Sequence, residues 1–347
     1  MLDVTFVAHH LNESLGFGMD RYTFQLMRCL KERGLKVRTI SSPSIFISPI
    51  KSGIDFFLYL PLLSILSLPS TKLYHFAAPQ AGFIIPILKR FSKKRIVTTI
   101  YDVSPVLFSK YVTGAGLVGR ALGIAIQESD SIIAISSQTK RDILQCFKVD
   151  GKKIRVIPLG TDPKFKPLKR ANNEAFTVGY IGNFAVNKNV PFLLKGFAQF
   201  EKRSSSPVKL VLYGKGAQYK ECMELAERLG IRNCEFCGFA DEKDIARIFN
   251  SFDLFVFPAF TEGFGLPILE AQKCHVPTIV LNEGRIPEEV TKFCLKAKDE
   301  AHLAQLMEKV RSEGFRFSKE HLEHLARFTW ENCAKQTIEV YEQALKS

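Results

Sequence analysis

Residues Phe252 to Gly284, FDLFVFPAFTEGFGLPILEAQKCHVPTIVLNEG, leave a chain few ways to fold. Asp253 to Pro258 is a short apolar run of aromatic and branched residues, which reads as a buried strand. Pro267 to Cys274 opens with proline at what would be the first helical position and continues with good helix formers. Val276 to Leu281 is a second buried strand. Between the first strand and the helix, Thr261-Glu-Gly-Phe-Gly-Leu266 carries two glycines and delivers backbone N–H groups to a helix N-terminus. Such a turn binds anions, because the first-turn donors have no intrahelical partner and the helix dipole is positive there. Two carboxylates bracket it: Glu262 in the loop, and Glu270 about one turn inside the helix. Alone, Glu262 reads as a solvated loop acid and Glu270 as an acid that favours the helix dipole. Together, around a glycine turn, they read as a site that holds phosphates with backbone and sugar hydroxyls with carboxylates.

The rest of the chain repeats the strand–helix–strand theme. Val4–Ala8, Val37–Ile40, Leu73–Phe76, Ile96–Ile100, Ser131–Ile135 and Lys153–Pro158 read as strands of a first domain. The Asp20–Arg33 helix lies between the first two and is closed by Gly34. Gly16-Phe-Gly18 precedes that helix, but Arg21 stands where a dinucleotide fingerprint needs its third glycine. Tyr101-Asp102 lies at the carboxyl end of a strand, the edge where parallel sheets bind ligands. Asp162–Asn173, with two prolines and many charges, reads as a linker. A second series begins at Phe176–Ile181, followed by the loop Gly182-Asn183 to Asn189 with Lys188 at its junction with a helix, placed to meet an anion. Val208–Tyr213 is followed by Gly214-Lys215-Gly216. The expected fold is α/β, two doubly wound domains over residues 1–162 and 163–328, with residues 329–347 forming a helix that packs back on the first.

Charge is unevenly placed. Residues 1–160 hold 21 Lys and Arg against 10 Asp and Glu, a balance of +11, whereas residues 161–347 hold 27 against 25, a balance of +2. The first domain therefore calls for an anionic partner, and nucleic acid, anionic membrane and a phosphorylated substrate share that sign. Ile54–Leu68 is apolar but too short to span a bilayer, and Lys89–Arg95 is basic, so contact with an anionic membrane surface is one reading and a core helix with a solvated charge run the other. Met1–Val7 reads as a strand without a basic leader region or cleavage site, so a cytoplasmic protein, peripheral at most on the membrane, is expected. Cys234-Glu-Phe-Cys237 has no second pair or His pair near it and reads as strand packing in a reducing compartment.

With these residues in hand the chain resembles the GT-B glycosyltransferases of family 4 over nearly its whole length. Pro258-x-x-x-Glu262-Gly-Phe-Gly-Leu-Pro-x-x-Glu270-Ala is similar to that family's E-x7-E motif, and Gly16-Phe-Gly18 resembles its acceptor-side glycine loop. The resemblance implies two domains facing across a cleft and a retaining transfer of a hexose, mannose or glucose, from a donor such as GDP-mannose or UDP-glucose. The acceptor would be a glycan or a lipid-linked molecule, with no cofactor, no metal and no nucleic-acid partner. It places Glu262 on the donor sugar, Glu270 on the ribose, the backbone of Phe264, Gly265 and Leu266 on the diphosphate, and Lys188 beside that diphosphate. Gly182, Asn183 and Lys215 would complete the donor side, and Gly16, Gly18, Tyr101 and Asp102 the acceptor side. Two positions depart from the family's pattern: Asn183 stands where Arg is frequent, and Tyr101 where a His precedes the Asp. An epimerase-like enzyme of the same fold and a basic nucleic-acid-binding protein are the competing readings.

Overall fold

The computed structural model describes residues 2–8, 18–41, 71–107, 114–169 and 174–346. Gly16 and the Ile54–Leu68 segment lie outside the described residues. The chain divides into two units, Met1–Gly160 with Thr329–Ser347, and Thr161–Phe328. The first crossing falls two residues earlier than the 162/163 boundary read from sequence.

The first unit holds a six-stranded parallel sheet in the order β2-β1-β3-β4-β5-β6. Its strands are β1 (Asp3–Ala8), β2 (Lys36–Ser41), β3 (Leu73–Phe76), β4 (Arg95–Ile100), β5 (Ser131–Ala134) and β6 (Ile154–Val156). Most of β1, β3, β4 and β5 is buried, as expected when helices cover both faces of a parallel sheet. The helix Trp330–Lys346 belongs to this unit and packs on the helix Gly18–Glu32, β4 and β5. Its buried residues Trp330, Cys333, Ala334, Thr337, Val340, Tyr341 and Ala344 recur every three or four positions and so form one stripe.

Burial of apolar groups is joined by a polar chain. The fully buried His75 on β3 bonds Tyr341 Oη through Nδ1 at 2.5 Å and Thr99 Oγ1 on β4 through Nε2 at 2.7 Å. Tyr22 Oη lies 3.0 Å from the same Thr99 oxygen. Burial pushes the His75 imidazole down to about 3, so it is neutral in the folded protein. Gly160 ends the unit against the backbone of Thr329 and Trp330, where a β-carbon would overlap main-chain atoms.

The second unit holds another six-stranded parallel sheet, in the order β12-β11-β10-β7-β8-β9. Here β7 (Phe176–Ile181), β8 (Val208–Tyr213) and β9 (Cys234–Gly238) run to one side, and β10 (Leu254–Phe257), β11 (Thr278–Leu281) and β12 (Leu295–Ala297) to the other. An aromatic core fills it: Phe249 meets Phe252 and Phe255, and Phe252 meets Phe255 face to face at 6.4 Å. Gly179 is required on β7 because a β-carbon would enter the Phe252 ring.

Two expectations need correction or completion. The described part of the 162–173 segment is not a loose linker, because it is strapped onto the second unit. Lys164 pairs with Glu242 at 2.6 Å, buried Phe165 sits on Phe249, and Asn250 receives the Leu168 N–H while donating to Lys166 O. Lys164, Phe165 and Leu168 all find partners there, so composition alone misread the segment. On β9, Cys234 is half-buried with its thiol pushed up to about 12 by burial, while Cys237 is exposed. The ladder is irregular at Cys237, since Leu212 pairs with Phe236 and Tyr213 with Gly238.

Candidate functional site

Strands β7 and β10 lie side by side, with Leu254 opposite Val178 and Phe255 opposite Gly179. The strand order reverses between them, because β8 lies beyond β7 and β11 beyond β10. At such a switch point the loops leaving the two strands diverge and open a crevice at the carboxyl edge. The donor-side residues expected from sequence stand on loops or helix starts at this edge, except Glu270, which lies one turn inside the helix that begins at Leu266.

The loop after β7 is locked to the turn after β8. Gly182 N–H donates to Tyr213 O at 3.0 Å, Phe184 N–H to Lys215 O at 3.1 Å, and Tyr180 Oη to Asn183 O at 2.7 Å. Gly214, at φ 130°, approaches so closely that a β-carbon would overlap Gly182 O. Asn183 and Lys215 stay exposed, the latter with Nζ 5.8 Å from the ring centroid of the exposed Phe239. A single tight turn, Val186–Lys188, then carries the lysine. Asn189 ends that turn in the left-handed region at φ 53°, a conformation asparagine tolerates, and starts the helix Val190–Arg203.

The loop after β10 is held from both sides. On one side, Phe260 N–H donates to Asn187 O at 2.8 Å, Asn187 Nδ2 to Thr261 O at 3.4 Å and Asn189 Nδ2 to Pro258 O at 3.3 Å. On the other, Arg285 N–H donates to Phe260 O at 2.8 Å and Glu262 N–H to Arg285 O at 3.0 Å. Gly284 allows this approach, since a β-carbon would lie 2.7 Å from Ala259 O. These bonds bring the Glu262 carboxylate onto the Lys188 ammonium as an ion pair, with side chains 18% and 14% exposed. Lys188 Nζ also lies 5.3 Å from the ring centroid of Phe257. Burial pushes the ammonium down to about 8, and the carboxylate beside it pulls the other way.

Gly265, left-handed at φ 91°, starts the helix Leu266–Lys273, and Pro267 follows in its first turn. Pro267 has no N–H, so Gly265 and Leu266 carry the donors at this helix end. Phe264 is buried, its ring 6.2 Å from Phe328. Glu270 is 3% exposed. Behind it, buried Gln272 donates to Val290 O at 2.9 Å and bonds His321 Nε2 at 2.8 Å. Lys273 Nζ donates to Phe328 O at 3.0 Å, so the helix is fixed along its length. Burial first, and then the neighbouring His324 and His275, hold His321 down to about 4.

The structure thus brings Glu262 and Lys188 into contact, places Phe264, Gly265 and Leu266 at the adjoining helix start, and sets Gly182, Asn183 and Lys215 on the neighbouring interlocked turns. On the first unit, Tyr101 is buried and donates its hydroxyl to Ala77 O at 3.0 Å, with burial raising its phenol far above the usual range. Asp102 is exposed and accepts Ser104 N–H at 2.8 Å, opening the short helix Ser104–Leu107. Gly18 is the first residue of its helix. Sequence reading missed Asn187, Asn189 and the Gly284-Arg285 segment. Their signal was there in part: asparagines before a helix and a glycine after a strand mark turns, but not which loop each turn will hold.

Comparison with known proteins agrees with this layout. Residues 18–165 match the family model described as Glycosyltransferase Family 4, and residues 162–328 the one described as Glycosyl transferases group 1. The O-antigen chain mannosyltransferase B of Escherichia coli is 27% identical over 271 residues, which cover 72% of this chain and 70% of that one. Across the first curated relatives the chain spans from 55% to 70% of the relative's length. Sucrose-phosphate synthase from Thermosynechococcus elongatus superposes with a TM-score of 0.78 at 20% identity, covering 99% of both chains. Anabaena HepE in complex with UDP-glucose superposes with a TM-score of 0.74 at 17% identity, covering 99% of this chain and 100% of that one. The fold is that of the GT-B transferases. The chain itself belongs to glycosyltransferase family 4.

Proposed function

We propose that the protein transfers a hexose, mannose or glucose, from a nucleoside diphosphate sugar to a glycan or lipid-linked acceptor with retention of configuration and without a metal. The observation that carries this reading is the Glu262–Lys188 pair beside the Gly265–Leu266 helix start at the switch point of the second sheet. Departure of a nucleoside diphosphate builds negative charge on the leaving oxygen. Lys188, largely desolvated against Phe257, and the N–H groups of the helix start stabilise that charge, the task a divalent cation performs at other sites. Glu262 turns from the lysine to the hydroxyls of the donor sugar, and buried Glu270 receives those of the ribose. The freed phosphate accepts the acceptor's proton during same-face attack, so no second carboxylate acts as a nucleophile. The mannosyltransferase relative and the UDP-glucose complex of HepE support the donor class.

A panel of GDP and UDP sugars tests the donor. The matching one raises the thermal unfolding midpoint, because it binds only the folded state. Glu262→Ala abolishes transfer with the fold preserved; wild-type-like turnover in that variant removes the assignment. Product analysis separates the alternative, since an epimerase-like enzyme alters the donor without consuming an acceptor.

A further inference from the structure

The charge surplus of the first unit has a definite place in its fold. In a parallel sheet every strand starts at one edge and finishes at the other, and ligands gather at the finishing edge. Many of the described lysines and arginines of this unit gather at the starting edge. A depression of about 490 Å³ below β3 and β4 is lined by Lys72, Lys93, Lys94 and Arg95, with Thr71 and Leu345. A second, of about 580 Å³ below β5 and β6, is lined by Lys140, Lys152, Lys153 and Arg155 among others. Strands β4 and β5 are neighbours, and the helix Trp330–Lys346 walls both depressions, through Val340 and Gln343 in one and Leu345 in the other. The two therefore form one cationic edge, and neither is lined by an acid.

Several acids nearby are paired and offset part of this charge. Asp130 pairs with Lys89 at 3.4 Å and Arg95 at 3.6 Å and accepts Ile96 N–H at 2.8 Å. Glu339 pairs with Arg155 at 3.8 Å, Asp3 with Arg38 at 3.2 Å, and Asp150 accepts Lys152 N–H at 2.9 Å. Lys72, Lys93, Lys152 and Lys153 are exposed. An apolar element ends at the same edge. The helix Ile85–Phe91 is tied there by Lys89 Nζ, which donates to Glu128 O at 2.8 Å, just before β5. Phe91 at its end is 74% exposed and Ile87 is 40% exposed.

We propose that this edge docks the protein on an anionic lipid bilayer, with the lysines on headgroup phosphates and Phe91 inserted at the acyl boundary. Charge alone fits any polyanion, but only a lipid surface offers both phosphates and an apolar phase for an exposed phenylalanine. The edge lies opposite the one that carries Tyr101 and Asp102, so the first unit's positive charge serves tethering and not acceptor recognition.

Flotation with vesicles of phosphatidylcholine alone, or with one-third phosphatidylglycerol, tests this without any turnover and so independently of the transfer reaction. The wild type binds the anionic vesicles at least tenfold more tightly and is released by high salt. The triple variant Lys93→Glu, Lys152→Glu, Lys153→Glu, all at exposed positions, loses at least tenfold of that affinity, and Phe91→Ser loses severalfold. Both variants keep the cooperative thermal unfolding transition of the wild type, which shows that they fold. Equal binding to the two vesicle types, vesicle binding indifferent to the charge reversals, or a preference for duplex RNA over vesicles overturns the proposal.

Discussion

Both units end their strands on an edge suited to ligands, yet they treat the polar residues there in opposite ways. In the second unit three loops brace one another through backbone bonds, from Asn187 to Phe260 and from Glu262 to Arg285, and the bracing holds two opposite charges in place. Asn187 and Asn189 add side-chain bonds, but this bracing makes no use of the Glu262 and Lys188 side chains, so these are available to a ligand. In the first unit, Tyr101 and Asp102 do the bracing with their own side chains, one on Ala77 O and the other on Ser104 N–H. A backbone scaffold leaves side chains for chemistry, whereas a side-chain scaffold consumes them.

That contrast can be broken most directly at Lys188. Lys188→Met lowers kcat/KM by about 10² to 10³, the usual effect of removing a group that stabilises transition-state charge. In the wild type the required form is the ammonium, present below a pKa of about 8 and lost as pH rises through it, so kcat/KM falls on the alkaline side near pH 8. Lys188→Arg moves that limb upward; a limb unmoved in this variant assigns it to another group.

A smaller effect is expected from His75, which belongs wholly to the first unit's scaffold. Its folded pKa of about 3 lies below the unfolded value near 6.5, so the unfolded chain binds more protons between the two. The contribution of neutral His75 is complete above about 6.5 and declines as pH falls toward 3. Urea unfolding followed through Trp330, the single tryptophan and a buried residue of this unit, reads that decline. His75→Gln flattens it, and an equal acid loss in wild type and variant rules the network out as its source.

The smallest change is Tyr101→Phe. Loss of the bond to Ala77 O costs about 1 kcal/mol of stability, and turnover stays within about twofold. A large loss of turnover at unchanged stability would instead place this hydroxyl on a substrate.

What could be read without coordinates was local. Strand, glycine turn, proline-led helix and second strand are written consecutively from Phe252 to Gly284, and the periodicity of each segment speaks for itself. The same holds for the alternation that yields two parallel sheets, since each strand–helix–strand unit is short enough to show its own pattern. Composition was less dependable. The 162–173 segment has a linker's residues, but Lys164, Phe165 and Leu168 find partners on the second unit that no local pattern announces.

The amino-acid order alone set the glycine turn at a helix start, the two acids that bracket it and the α/β class, because these depend on neighbours a few positions apart. Folding decided that Glu262 meets Lys188, that His75 on the first sheet bonds Tyr341 on the final helix, and that many of the first unit's described lysines collect at the starting edge of its strands. Each joins residues from distant segments, and their meeting is fixed by strand order and loop bracing, which exist only once the sheets have formed.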